Sequence, residues 1–121
     1  MTKITRIRRA CGPNFGIWSG NDDLALATVA LGGQGVISVT SNAIPNQVQD
    51  MMAAALDGDF DTAAAMAVAI QPLNDHLFCQ VNPIPIKAAM EILGYDCGEC
   101  RLPLTGLNKE FRPRLEALLR T

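Results

Sequence analysis

The chain has 121 residues, enough for one small domain with its own core. A formal net charge of -2 and a pI near 5.2 give no general attraction for phosphate backbones or anionic membranes, so neither nucleic acid nor membrane is expected as a partner. Apolar residues make up 49% of the chain but aromatics only 5%, and a core rich in Ala and Leu with few rings is expected to be mostly helical.

Basic residues gather in two short places, Lys3 to Arg9 and Arg112 to Arg120, both on expected helices, where they read as solvated faces. The longest apolar-leaning run, Met51 to Ile70, is broken by Asp57, Asp59 and Asp61 and falls short of the roughly 18 clean residues of a membrane span. Lys3, Arg6, Arg8 and Arg9 lead into Cys11-Gly12-Pro13 and not into an apolar stretch, which is not the pattern of a secretion signal. A cytoplasmic location is the resulting expectation.

In chain order, Thr2 to Ala10 reads as a helix with Ile4 and Ile7 on one face, stopped by Cys11-Gly-Pro-Asn14. Phe15 to Ser19 is a short apolar run ending at Gly20, consistent with a buried strand. Asn21, Asp22 and Asp23 are suited to cap a helix that runs to about Leu31, where Gly32-Gly33 ends it. Gly35 to Thr40 is a second strand, rich in β-branched residues. Strand, helix and strand make a βαβ unit, which implies parallel strands, apolar because both faces of the sheet are covered.

After Asn42 strands cease. Pro45 suits the first turn of a helix to about Leu56, and Gly58-Asp59 breaks and re-caps the chain. Phe60 to about Cys79 reads as one long amphipathic helix that Pro72 should kink. Asn82-Pro-Ile-Pro85 is a turn leading into a helix from Ile86 to Leu93, ended by Gly94. A loop over 95–107 follows, and Asn108 is the expected cap of a last helix from Lys109 to about Leu119.

Chemistry-bearing residues are few. His76, the sole histidine, sits in a long helix with no serine or cysteine nucleophile in an elbow nearby. Cys97-Gly-Glu-Cys100 is a lone CxxC. It follows a helix end instead of opening a helix, and no second pair has zinc-finger spacing, so Cys11, Cys79, Cys97 and Cys100 read as ordinary thiols. Gly32-Gly-Gln-Gly35 precedes a strand, the wrong context for cradling phosphate. A Schiff-base lysine needs an apolar pocket or a neighbouring cation, and none of Lys3, Lys87 and Lys109 lies in a strand-like run. No catalytic residue, metal ligand or cofactor is expected within these residues. A two-stranded parallel unit leaves unpaired edges, which must be covered or joined to other strands. It is therefore expected to be part of a larger α/β architecture such as a (β/α)8 barrel of about 250 residues.

Four segments together resemble the C-terminal part of the dihydrodipicolinate synthase family: Ser19-Gly-Asn-Asp-Asp23, Leu31-Gly-Gly-Gln-Gly-Val-Ile-Ser-Val-Thr-Ser-Asn42, Asn82-Pro-Ile-Pro-Ile-Lys87 and Arg101-Leu-Pro-Leu104. The resemblance runs over nearly the whole chain. It implies the C-terminal fragment of a (β/α)8 TIM barrel with two parallel strands, followed by a helical C-terminal part, mostly helical throughout. Residues 1–57 would supply the seventh and eighth strand-helix units and residues 58–121 the helical part.

The family is one of class I aldolases, in which a strand lysine forms a Schiff base with pyruvate, and the enamine attacks aspartate semialdehyde in lysine biosynthesis. The resemblance places Gly20 at the end of the seventh strand beside the substrate pocket. It makes Ile37 the eighth-strand residue that lines bound pyruvate, largely through its backbone. Asn21 departs from the aspartate usual at its position. Met1 falls just past the position of the family's catalytic lysine, and Tyr95 does not match the catalytic tyrosine. The resemblance thus implies a chain inactive alone, whose partners are a pyruvate-type keto acid in the complete enzyme and either further copies of itself or a complementing N-terminal half. An assembly module without catalysis is the alternative.

Overall fold

A computed structural model describes residues 2–120. Six helices surround a single pair of strands among the described residues. They are α1 (Thr2–Cys11), α2 (Ala25–Ala30), α3 (Pro45–Leu56), α4 (Phe60–Leu77), α5 (Ile84–Ile92) and α6 (Arg112–Leu118), with β1 (Trp18–Ser19) before α2 and β2 (Gly35–Val36) after it. The strands are parallel, with Trp18 opposite Gly35 and Ser19 opposite Val36. The expected βαβ unit is present, and the chain is an α/β structure dominated by helix.

Both strands are shorter than the sequence suggests. The apolar runs stay hydrogen-bonded just beyond the ladder: the Gln34 N–H donates to the Ile17 carbonyl and the Ile37 N–H to the Ser19 carbonyl, each at 2.8 Å. Past Ile37 the second run stops being a strand, because the backbone at Val39 and Thr40 turns to the Asp22 carboxylate and enters a 3-10 turn over Thr40–Asn42. β-branched composition marked this run as strand, but the hydrogen-bond partner available decided its end.

The expected capping at residues 21–23 also differs. Asn21 precedes the 3-10 turn Asp22–Leu24 in extended backbone and makes no side-chain cap bond. At the C-terminal end of α2, Gly32 has a φ of +87°, a left-handed conformation that stops the helix where the sequence predicts. Gly94, with φ +92°, does the same for α5.

Asp59 caps α4 as expected, its carboxylate accepting from the Thr62 N–H at 3.1 Å. α4 runs unbroken across Pro72, which is exposed. α5 begins at Ile84, two residues earlier than predicted, because Pro85 fits the first turn, where no N–H partner is needed. α6 begins at Arg112 and not at Lys109. Asn108 is no cap: its own N–H donates to the Gln80 side chain at 2.7 Å, and Pro113 occupies the first turn.

Two apolar clusters hold the elements. One joins Leu73 and Leu77 of α4 to Ile86, Ala88 and Ala89 of α5 and Leu115 of α6. The other packs Ala25 of α2 against Val48, Met51 and Met52 of α3, with Met66, Ala67 and Ile70 of α4 beside them. At the surface, Arg112 bridges Glu91 at 3.3 Å and Glu116 at 3.2 Å. The hydrogen bond and charge of Glu91, then those of Glu116, raise the Arg112 pKa. Pairs this exposed add little to stability.

Candidate functional site

Because β1 and β2 are parallel and in register, their carboxyl ends lie side by side, and continuing the register by one residue sets Gly20 beside Ile37. These are the two residues expected to line a substrate pocket. A side chain added at Gly20 would meet nothing within 4 Å, so the backbone there borders open space. The Ile37 side chain is 73% exposed, and its backbone is held by the N–H bond to the Ser19 carbonyl.

Around this pair lies a polar network that the sequence does not announce. The buried Ser19 hydroxyl donates to the Asn21 carbonyl at 2.7 Å and accepts from the Asn21 N–H at 3.1 Å, fixing the turn after β1. One oxygen of Asp22 accepts from the Ser38 hydroxyl, and the other accepts from the Val39 N–H at 2.9 Å and the Thr40 N–H at 3.5 Å. Ser38 in turn accepts from the Ser41 N–H at 2.8 Å. Thr40, fully buried, donates its hydroxyl to the Asn74 side-chain oxygen at 2.8 Å, which ties the 3-10 turn after β2 to α4. A cleft lined by Asn21, Asp22, Asp23, Gln71, Asn74, Asp75 and Phe78 opens beside this network. The one legible signal for the network is the hydroxyl-rich run Ser38-Val-Thr-Ser-Asn42 following a strand, since such side chains bond to nearby backbone.

Among the described residues no lysine stands at this end of the sheet. Lys3 and Lys109 are exposed, and the Lys87 ammonium on α5 donates to the Glu99 carbonyl at 3.0 Å. His76 is a packing residue. Its Nε2 donates to the Phe111 carbonyl at 2.8 Å, and the Phe111 ring meets it edge-on with centroids 6.0 Å apart. The four cysteines carry free thiols, and Cys97 and Cys100 lie in an irregular loop. Partial burial pushes the Cys79 thiol pKa up. Among the described residues no group of three or more His, Cys, Asp or Glu is placed to hold a metal ion. No described helix is long and apolar enough to cross a membrane.

The family model described as the dihydrodipicolinate synthetase family matches residues 1–121. The chain is 41% identical over 119 residues to the 4-hydroxy-tetrahydrodipicolinate synthase of Thermoanaerobacter sp. (strain X514), covering 98% of this chain and 40% of that protein. It is 46% identical over 110 residues to the synthase of Kosmotoga olearia, covering 91% of this chain and 37% of that one. Among solved structures it is similar to dihydrodipicolinate synthase from Aquifex aeolicus, with a TM-score of 0.94 and 39% identity over 98% of this chain and 41% of that one. The enzyme from Cyanidioschyzon merolae with lysine bound is similar at a TM-score of 0.92 and 38% identity, over 98% of this chain and 40% of that one. The chain spans about two fifths of the length of the relatives it matches. By sequence and by structure, it belongs to the dihydrodipicolinate synthetase family.

Proposed function

We propose that residues 1–121 contribute one wall of the substrate pocket of a 4-hydroxy-tetrahydrodipicolinate synthase, a Schiff-base lyase that condenses pyruvate with aspartate semialdehyde. Residues 1–57 would be the seventh and eighth strand-helix units of a (β/α)8 barrel, and residues 58–121 its helical C-terminal part. The observation that carries this reading is the parallel register Ser19↔Val36, whose continuation by one residue brings Gly20 next to Ile37 at the carboxyl ends of the strands, the face at which such barrels place their chemistry. Within these residues no lysine lies on either strand, so the Schiff base forms elsewhere in the complete enzyme. The segment binds and positions the keto acid and supplies no nucleophile. It acts in the cytoplasm as part of an oligomer.

A second reading has its own support. Trp18 on β1 is 55% exposed and Phe15, three residues before it, is 49% exposed, and each two-residue strand has only the other as a partner among the described residues. Such edges and rings suit docking onto a separate N-terminal half-barrel.

The test is pyruvate trapping with borohydride, read by intact mass. The chain alone is expected to gain no adduct. Mixed with the N-terminal portion of a close relative's synthase, it is expected to promote an adduct on that portion's lysine. An adduct on Lys3, Lys87 or Lys109 of the isolated chain would refute the assignment of roles. A stable complex of the two portions with no adduct on either would count against the pocket wall.

A further inference from the structure

We propose that Asp22 is a positioning residue for this site: its carboxylate, more than the two-residue strand ladder, holds the Ile37 backbone where substrate meets it. The inference rests on the reading of Gly20 and Ile37 as pocket wall. Ile37 lies one residue past β2, with a single backbone bond to Ser19 and a side chain too exposed for packing to hold it. The three residues that follow it, Ser38, Val39 and Thr40, all donate to Asp22.

Asp22 itself is two residues past Gly20, in a turn already fixed by the Ser19 hydroxyl. One carboxylate therefore fastens the end of β1 to the end of β2 and spans both pocket residues. Its bonds also satisfy N–H groups at the start of the 3-10 turn Thr40–Asn42, work that a capping side chain of the turn itself would otherwise do; Val39, at the cap position, makes no such bond. Bonds from backbone N–H to a carboxylate are stronger than neutral ones. A turn whose first N–H groups bond to a carboxylate 17 and 18 residues upstream links two strand ends in a way that a local cap does not. If Asp22 merely capped the turn, its loss would free Val39 and Thr40 and leave Ile37 in place.

Amide hydrogen exchange by NMR on the whole chain separates these cases. In Asp22→Ala the Ile37 amide is expected to exchange at least about tenfold faster, with Val39 and Thr40, while Leu77, Ala89 and Leu115 stay unchanged. Asp22→Asn, which keeps an acceptor oxygen, is expected to return Ile37 to within about threefold of the parent. An unchanged Ile37 beside faster Val39 and Thr40 would overturn the proposal, as would equal acceleration throughout the chain. Should Asp22→Ala fail to fold, Ser38→Ala removes one contact, and an unaltered Ile37 amide there would overturn it too.

Titration with pyruvate gives a second readout. Shifts of the Gly20 and Ile37 amides are expected in the parent and in Asp22→Asn and are expected to vanish in Asp22→Ala. No shift in the parent would sink the substrate reading, and the exchange comparison would still decide whether Asp22 positions Ile37.

Discussion

The Thr40–Asn74 bond offers the sharpest test of the energetics. Thr40 is 0% and Asn74 6% exposed, and the hydroxyl lies 2.8 Å from the amide oxygen. Thr40→Val keeps the side-chain volume, so the cavity contribution is small and the loss is almost purely polar. The variant leaves the buried Asn74 oxygen without this donor, which costs the desolvation penalty of a stranded polar group, about 1–3 kcal/mol. The loss is read as a lower urea midpoint at unchanged slope by far-UV circular dichroism. Asn74→Leu leaves the buried Thr40 hydroxyl without its acceptor and should cost a comparable amount. The double variant should recover about 1 kcal/mol or more relative to the sum of the singles, as expected of groups in direct contact. A loss below about 0.3 kcal/mol for Thr40→Val, or strict additivity in the cycle, would refute the claim that this bond joins the turn after β2 to α4.

Leu115→Ala removes a fully buried side chain from the α4–α5–α6 cluster and is expected to lower stability by about 2–5 kcal/mol, measured by the same urea titration. Asp59 has a pKa lowered by its bonds to Thr62, so it contributes stability above its unfolded-state value, lost as pH falls through the folded-state one. The melting temperature of the parent should thus fall more steeply on acidification below about pH 4 than that of Asp59→Ala, the two curves converging in strong acid. Cys79, with its thiol pKa raised by burial, should react with iodoacetamide at mildly alkaline pH at least about threefold more slowly than the exposed Cys97. Equal rates by peptide mapping would contradict the burial argument.

Much of the fold was legible. Periodicity and glycine or proline punctuation marked all six helices, and α3 and the start of α4 were read to the residue, because Pro45 and Asp59 act through their immediate neighbours. Local chemistry of this kind is written in the sequence. The errors came where a distant partner decided. β2 ends because Asp22, not a neighbouring strand, takes the hydrogen bonds of Val39 and Thr40, and Asn108 fails as a cap because Gln80 binds its N–H. The candidate site divides in the same way. Gly20 and Ile37 were singled out by a four-segment resemblance, and continuing the parallel register by one residue sets them side by side. Asp22 was read as a cap for its own helix, since nothing in the residues around it reveals a contact sixteen positions away.

α4 has a consequence for how the chain comes apart. At 18 residues it is about 27 Å long, and it gives Met66, Ala67 and Ile70 to one apolar cluster and Leu73 and Leu77 to the other. Ile44 likewise packs against both. The hinge near residue 57 therefore does not divide the apolar clusters. Cleavage at the exposed Asp57-Gly58-Asp59 would leave the preceding piece without the α4 side of its core, and the following piece without the residues that cover Met66 and Ile70. One unfolding transition, with a sensitivity to nicking at that hinge out of proportion to its small size, is the behaviour built into a helix shared by two cores.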